Sequence, residues 1–384
     1  MKLRGISLIL AAAVVFGLSG TAVSQEPYKI GAIFSITGPG SSLGIPERDT
    51  VQMLEAEINA KGGLPGPVPH PVKIIIYDDA SDETKAVLAA KKLIEEDRVA
   101  AIVGTTLSGT SLAILGTVQT AQVPLVSCAA AIKIVEPAAE RKWVFKTPQS
   151  DFLIIDVLVD YLKFKGLTKV GWLHVDYAFG DLGWIEFQKA ASKAGIQIVA
   201  QEKFGQKDVD MTPQLTRVKA AEPQAVVVWS IPPSASIITK NYRDLGIKAP
   251  LFQSHGVGNK KYIELAGPAA NGVIFPAGKL LVAEQLPDSD PQKPVLLAYA
   301  KAFEAKYGPR NTFGGHAWDA VQLVFHAMER VGNNRAAIRD VIESTRNFVG
   351  ITGVFDLSSA DHNGLDRRAV TMIQIVDGQW RLLK

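Results

Sequence analysis

The chain alternates short Val- and Ile-rich runs with longer segments whose apolar residues recur at helical spacing. Apolar runs of strand length predict buried strands, and apolar spacing of three and four residues predicts amphipathic helices. In the first part of the chain, this pattern predicts strands at 29–36, 72–77, 99–103 and 123–127, and helices at 47–60, 83–96 and 110–121. Because the predicted strands are apolar almost throughout, we expect a parallel sheet covered by helices on both faces.

The same alternation starts again after Thr147-Pro148. Strands are predicted at 169–174, 196–200, 225–229, 251–253 and 272–275, with helices at 151–165, 181–194, 212–222 and 234–245. Helices at 295–307, 317–331 and 335–345 then precede a strand region at 369–383. The segment after Pro276 holds too few strands for a third domain, so we expect it to return to the first half. We therefore predict two α/β lobes, 25–147 with 278–353 and 148–277 with 354–384, joined by three crossing segments.

Two segments of similar pattern, which we call the sequence echo, predict a site between these lobes. Residues 100–113 (AAIVGTTLSGTSLA) align without gaps on residues 225–238 (AVVVWSIPPSASII), and each segment is a strand, a polar turn and a helix start. In open α/β sheets, ligands bind outside the carboxyl ends of the strands. Free N–H groups and the dipole at a helix start also suit a small anion such as a carboxylate. The two turns are therefore expected to face each other across a cleft.

The first 24 residues have the pattern of an export signal. Lys2 and Arg4 precede an apolar run at 6–18, and Ala22-Val23-Ser24 supplies small residues for cleavage near Ser24. The run is shorter than the about 20 apolar residues that a membrane span needs, which makes an uncleaved anchor the less favoured alternative. No Cys follows the run, so a lipid anchor is not expected. We predict export to a periplasm or extracellular space.

Composition restricts the function further. The formal net charge is +3, which falls to +1 without Lys2 and Arg4, so electrostatics give no case for binding nucleic acid or anionic lipid. Cys128 is the single cysteine and lies in an apolar run, where a small buried residue is a better interpretation than a nucleophile. An exported protein without disulfides depends on large cores, which a chain of 384 residues can supply.

Signatures of enzymatic chemistry are weak. The sequence contains no H-E-x-x-H or C-x-x-C pattern, and its six histidines do not have metal-ligand spacing. Gly104 and Gly109 have the spacing of a phosphate loop, but Thr110-Ser111 stand where that loop needs Lys and Ser or Thr. We therefore expect a binding protein rather than an enzyme, with no cofactor and no metal.

Nine residues at predicted strand ends and helix starts are candidates for ligand binding. Hydroxyl groups, free backbone N–H groups and small side chains come from the first lobe, and aromatic side chains come from the second. These candidates are Ser108, Gly109, Thr110, Ala129, Ala130, Ala131, Phe179, Trp229 and His255.

Five segments in order give the chain a resemblance to a known family. They are 29–44 (KIGAIFSITGPGSSLG), 57–63 (EINAKGG), 77–82 (YDDASD), 102–113 and 123–131. Together they resemble periplasmic solute-binding proteins of the Leu/Ile/Val-binding type, the type I class that serves ABC importers. The resemblance implies two Rossmann-like lobes that close on one small ligand, a permease in the inner membrane as partner, and a monomer.

The resemblance also implies roles for individual residues. In amino-acid-binding members, the ligand carboxylate is held by a Ser that falls on Ser108 and by a Thr or Ser that falls on Ala131. The ammonium is held by a carbonyl at about Ala129 and by an acidic side chain that falls on His255. A second-lobe contact that is often Tyr falls near Ile231, beside Trp229.

Two departures from that pattern bear on the ligand. Ala131 lacks a hydroxyl, and His255 stands where an acid is expected, which leaves an ammonium without its partner. We therefore expect a small carboxylate without an amino group, with an aromatic acid as one candidate. A branched-chain amino acid is the alternative ligand, and a ligand-sensing module for a membrane receptor is the alternative role.

Overall fold

The computed structural model describes residues 25–66 and 69–383, and the signal predicted at 1–24 lies outside these ranges. The described chain forms two α/β lobes, each built on its own mainly parallel sheet. The α/β prediction from the alternating pattern is therefore confirmed. No helix in these ranges is long and apolar enough to cross a membrane.

The first lobe contains a five-stranded sheet in the order β2-β1-β3-β4-β5, with every neighbouring pair parallel. Its strands are β1 (Tyr28–Phe34), β2 (Val72–Asp78), β3 (Ala101–Gly104), β4 (Leu125–Ser127) and β5 (Val144–Lys146). Six helices belong to this lobe: α1 (Ser41–Ala60), α2 (Glu83–Glu95), α3 (Ser108–Thr120), α9 (Lys293–Tyr307), α10 (Thr312–Val331) and α11 (Arg335–Glu343). Strands β1 and β3 are buried almost throughout because helices cover both sides of them.

The second lobe contains a seven-stranded sheet in the order β14-β13-β10-β9-β8-β6-β7. Its strands are β6 (Lys169–Val175), β7 (Gln197–Phe204), β8 (Ala225–Trp229), β9 (Leu251–Gln253), β10 (Ile274–Ala277), β13 (Thr371–Val376) and β14 (Gln379–Leu382). Helices α4 (Asp151–Phe164), α5 (Ala178–Ala194), α6 (Thr212–Ala220), α7 (Ser234–Asp244) and α8 (Lys260–Ala266) cover it. The C-terminal hairpin of β13 and β14 adds antiparallel strands at the β10 edge.

The last crossing between the lobes comes later than the predicted boundary at 353. A short hairpin of β11 (Phe348–Val349) and β12 (Val354–Phe355) follows α11. Phe355, Leu357, Leu365 and Ala369 are buried in the core of the first lobe, so the chain enters the second sheet only at β13. The boundary was placed too early because these apolar residues stand outside any long periodic segment.

Side chains tie the first crossing to the last part of the chain. The Gln149 side-chain amide donates to the carbonyl oxygens of Thr352 at 2.8 Å and of Ala369 at 2.9 Å. The Asn363 side-chain amide donates to the Pro148 carbonyl oxygen at 3.0 Å. These bonds satisfy backbone groups that helices and strands leave unpaired, and they fix the crossings to each other.

Candidate ligand-binding cleft

A cavity lies between the two lobes and has about 360 Å³ of empty volume, counting its opening to solvent. The first lobe contributes Leu43, Thr106, Leu107, Ser108, Cys128 and Ala130. Pro148 comes from the first crossing, Tyr177, Phe179, Ile231, His255 and Gly256 from the second lobe, and Phe313 and His316 from α10.

The cavity lies where the sequence echo predicts a cleft. Thr106 and Ile231 occupy equivalent positions in the two aligned segments, and both line the cavity from opposite lobes. Each follows a central strand of its sheet, β3 or β8. The site is therefore at the carboxyl ends of the strands in both lobes, as expected for open α/β sheets.

The two lobes touch each other around this cavity. Leu43, Leu107 and Ala130 of the first lobe pack in the same apolar cluster as the core of the second. On another side, the Thr312 backbone N–H at the start of α10 donates to the Gly258 carbonyl oxygen at 3.0 Å. The structure thus represents a conformation in which the lobes are in contact.

Ser108 is the first residue of α3 and lines the cavity. Its hydroxyl oxygen accepts a long hydrogen bond, 3.4 Å, from the Ala131 backbone N–H. The first hydrogen bond of the helix runs from the Ser111 N–H to the Leu107 carbonyl oxygen at 2.9 Å, so the N–H groups before Ser111 precede the helical pattern. A helix start with a hydroxyl in the cavity wall is suited to a carboxylate.

Thr110 takes a different role from the one predicted for it. Its hydroxyl donates to Thr105 Oγ1 at 2.7 Å and to the Leu107 carbonyl oxygen at 3.0 Å, and it is turned into the protein. Thr105 Oγ1 is in turn 2.8 Å from Ser111 Oγ, which is 2.8 Å from Ser127 Oγ. This chain of hydroxyl groups lies under the turn and holds its backbone in place.

Trp229 supports the second-lobe wall without lining the cavity. It is fully buried, and its indole N–H donates to the Phe179 carbonyl oxygen at 3.1 Å. Its ring stacks on Phe179 with centroids 5.5 Å apart and meets His255 edge-on, also at 5.5 Å. Trp229 therefore positions the two aromatic side chains that do line the cavity.

Four of the nine predicted site residues line the cavity: Ser108, Ala130, Phe179 and His255. The other five lie behind the wall, with Gly109 and Thr110 in the first turn of α3, Ala129 and Ala131 in the apolar core beneath, and Trp229 in the second lobe. For Gly109 and Thr110, the reason is the start of α3 at Ser108 rather than near residue 110, which turns these residues away from the cleft.

Sequence reasoning missed several lining residues. The echo contains a signal for Thr106 and Ile231, because their equivalence places both at the cleft. Tyr177 directly precedes α5 after β6, another strand end. Phe313 and His316 had no such signal, because they come from a helix that returns to the first lobe far along the chain.

The two histidines that line the cavity, His255 and His316, are buried and uncharged. Burial, together with the nearby Lys146, lowers the pKa of His255 to about 3. Burial, His255 and Lys146 lower the pKa of His316 to about 3 as well. Both imidazoles are therefore neutral at physiological pH.

Lys146 is a fully buried cation beneath the cavity, at the end of β5. Its ammonium donates to the Pro148 carbonyl oxygen at 2.6 Å and to Ser150 Oγ at 3.0 Å. Burial lowers its pKa to about 7, while Asp151 acts in the opposite direction.

Within the described residues, the wall of the cavity contains no Asp or Glu. Glu47 lies behind Thr106, whose hydroxyl donates to its carboxylate, and burial raises the pKa of Glu47 well above its usual value. Burial also raises the pKa of the Cys128 thiol, which lines the cavity as a small apolar side chain. The described ranges hold no cluster of three His, Cys, Asp or Glu residues suited to a metal ion.

The segment Gly40-Ser41-Ser42-Leu43-Gly44 has the G-x-S-x-G spacing of a hydrolase nucleophile. Ser42 lies in the first turn of α1, eight residues after the end of β1 at Phe34, and not on a sharp strand-to-helix turn. Its buried hydroxyl has no hydrogen-bond partner among the described residues, so no base is positioned to activate it. The arrangement does not support hydrolysis.

Comparison with known proteins finds one family over nearly the whole described chain. The family model for periplasmic binding proteins matches residues 27–379. The leucine-, isoleucine-, valine-, threonine- and alanine-binding protein of Pseudomonas aeruginosa is 25% identical over 330 residues, covering 85% of this chain and 84% of that protein.

Solved structures agree with this match. An extracellular ligand-binding receptor from Rhodopseudomonas palustris HaA2 superimposes with a TM-score of 0.87 at 32% identity, covering 94% of this chain and 100% of that one. The substrate-binding protein LivJ of Streptococcus pneumoniae, solved in complex with isoleucine, superimposes with a TM-score of 0.82 and covers 94% of this chain and 100% of its own. At 24% identity, the second likeness concerns the fold alone.

Proposed function

Because this chain belongs to the periplasmic binding protein family, in its Leu/Ile/Val-binding type I branch, we propose that it captures a small carboxylate by lobe closure and delivers it to a membrane permease. The main support for this proposal is that residues of both lobes and of the first crossing line the same cavity. A ligand in that cavity contacts both lobes only when they are together, so it favours the closed conformation.

The carboxylate is assigned to the start of α3. The Ser108 hydroxyl and the first N–H groups of this helix supply hydrogen-bond donors, and the helix dipole adds partial positive charge. No other charge on the wall opposes this assignment within the described residues.

The transport role follows from the family. Periplasmic binding proteins work with ABC permeases, and the energy for transport comes from the permease's ATPase rather than from the binding protein. The same closure can also report a ligand to a membrane receptor. We propose transport as the role, with action in the periplasm.

The identity of the ligand is the finer question. The names of the curated relatives favour a branched-chain amino acid over any other class. The chemistry of this cavity favours a carboxylate without an amino group, since an ammonium needs an acidic partner and none lines the wall of the described cavity. Aromatic side chains at positions 177, 179 and 313 suit an aromatic or bulky apolar body.

A matched ligand pair tests the proposal directly. Leucine and 4-methylpentanoate differ only in the amino group, and leucinamide removes the carboxylate charge. After bound molecules are removed by unfolding and refolding, calorimetric titration should show binding of 4-methylpentanoate or of benzoate and 3-phenylpropionate, and weak binding of leucine.

Tight binding of leucine, isoleucine or valine without binding of 4-methylpentanoate would establish the amino-acid alternative. Binding of leucinamide as tight as that of leucine would show that the carboxylate is not the anchor. If no carboxylate in the panel shifts the melting temperature, the proposed capture of this ligand class is wrong.

A further inference from the structure

Three polar groups without protein partners belong to side chains that line the ligand cavity. Tyr177 Oη, His255 Nδ1 and His316 Nδ1 are buried, and none has a hydrogen-bond partner among the described residues. All three side chains line the same cavity. Both histidine side chains are more than nine-tenths buried, with 5% and 4% of their surface exposed.

Such groups are costly when they stay unpaired. A buried donor or acceptor without a partner costs about 1–3 kcal/mol, and most buried polar atoms in folded proteins are paired for that reason. Tyr262 in the second lobe illustrates the ordinary case, because its buried hydroxyl lies 2.8 Å from Thr239 Oγ1. A ligand that forms hydrogen bonds with the three groups in the cavity would remove this cost.

The groups come from three separate parts of the chain. Tyr177 precedes α5, His255 follows β9, and His316 lies in the first part of α10. His255 meets Phe179 edge-on at 5.6 Å, and His316 meets Phe313 edge-on at 5.6 Å. The aromatic contacts hold both imidazoles beside the cavity, and leave their ring nitrogens for a bound molecule.

We propose that Tyr177, His255 and His316 form a subsite for a hydroxyl group, so that the preferred ligand is a carboxylic acid that also carries a hydroxyl. This inference rests on the proposed function, with the carboxylate at Ser108. A hydroxyl both donates and accepts, and neutral imidazole and tyrosine can supply the complementary acceptor and donor.

Other ligand groups fit this subsite less well. An ammonium has only donors and brings a charge that no acidic side chain on the described wall balances. A second carboxylate has only acceptors, and the low pKa of both imidazoles means that neither supplies a counter-charge at neutral pH. The buried Lys146 ammonium is already bonded to Pro148 and Ser150.

The test compares acids that differ only in the hydroxyl group. The pairs are benzoate with 4-hydroxybenzoate and 3-phenylpropionate with 3-(4-hydroxyphenyl)propionate, measured by calorimetric titration of the refolded protein. In at least one pair, the hydroxylated acid should bind about tenfold more tightly, which corresponds to about 1.4 kcal/mol.

Single variants then assign the gain to the subsite. Tyr177→Phe and His316→Leu should each reduce the preference to about threefold or less, because each removes a hydrogen-bonding group that only the hydroxylated acid uses. His326→Leu is the matched control, because His326 lies in the same helix but does not line the cavity. It should leave the preference unchanged.

Each other outcome overturns a distinct statement. Equal binding of both members of every pair, or a preference that survives both variants, overturns the hydroxyl subsite while the proposed capture of carboxylates stands. Failure of all four acids overturns the hydroxyl subsite, and in that case binding of leucine shows that the chain still captures a carboxylate. Failure of leucine and of 4-methylpentanoate as well overturns the proposed function itself.

Discussion

At the scale of single residues, two neighbouring hydroxyl groups have opposite roles. Ser108 and Thr110 are both at the start of α3, but only Ser108 lines the cavity. Thr110 is buried and donates to Thr105 and to the Leu107 carbonyl oxygen. Successive positions on a helix point about 100° apart, so a start at Ser108 directs Thr110 into the protein. One hydroxyl is available to a ligand, and the other stabilises the turn.

Replacement of Ser108 by Ala should weaken carboxylate binding by about 1–3 kcal/mol, because the hydroxyl supplies a hydrogen bond to a charged group in a buried site. Calorimetric titration with the tightest-binding acid of the ligand panel measures the loss. Ser192→Ala on the exposed face of α5 is the control and should have no effect. Unchanged affinity of Ser108→Ala would move the carboxylate away from α3.

At the scale of elements, the contact between the start of α10 and the turn after β9 joins the two lobes. The Thr312 N–H donates to the Gly258 carbonyl oxygen at 3.0 Å. A Cβ atom on Gly258 would lie 2.7 Å from Thr312 Oγ1 and 3.0 Å from Thr312 Cγ2, closer than ordinary van der Waals contact. Gly258 itself has φ of −69°, outside the left-handed region that favours glycine.

The variant Gly258→Ala should therefore oppose closure without unfolding the second lobe. We expect ligand affinity to fall about tenfold, equivalent to about 1.4 kcal/mol, with little change in the free energy of unfolding of the ligand-free protein. Thr312→Ala removes the two atoms in the way and keeps the backbone hydrogen bond, so the double variant should recover most of the affinity. Failure of this rescue would show that Gly258 acts in some other way.

At the scale of the whole molecule, the lobes have separate sheets but share apolar contacts at the cleft. Leu43, Leu107 and Ala130 leave the first lobe's own core and pack against the second lobe. Cys128 lines the same cavity and is buried in this conformation. Separation of the lobes would expose these side chains to water, and a ligand that holds the lobes together would keep them buried.

Alkylation of Cys128 should report closure, since this is the only thiol in the chain. A maleimide reagent at pH 8 should react slowly with the ligand-free protein, and several times more slowly when a saturating ligand is present. In a Cys128→Ala background, Ser192→Cys provides an exposed thiol whose rate should not depend on ligand. A ligand-independent rate at Cys128 would contradict closure over the cavity.

The sequence by itself determined the class of fold and the place of the cleft. Strand runs and helical spacing are local properties, and they specified the two parallel sheets and the end of each sheet where a ligand binds. The echo between 100–113 and 225–238 also paired Thr106 with Ile231 across the cavity. Ser108 and His255 could be chosen because each lies within four residues of the end of a strand.

Only the tertiary structure decided which side chains reach the cavity. The direction of each side chain after β3 depends on the residue at which α3 begins. A shift of this start by two residues changes which side chains face the cavity. Phe313 and His316 reach the cavity because α10 packs back on the first lobe, and no local pattern encodes that return. Contacts between residues far apart in the chain arise from packing. Sequence reasoning could therefore predict Ser108 as a cavity residue, but it could not predict His316.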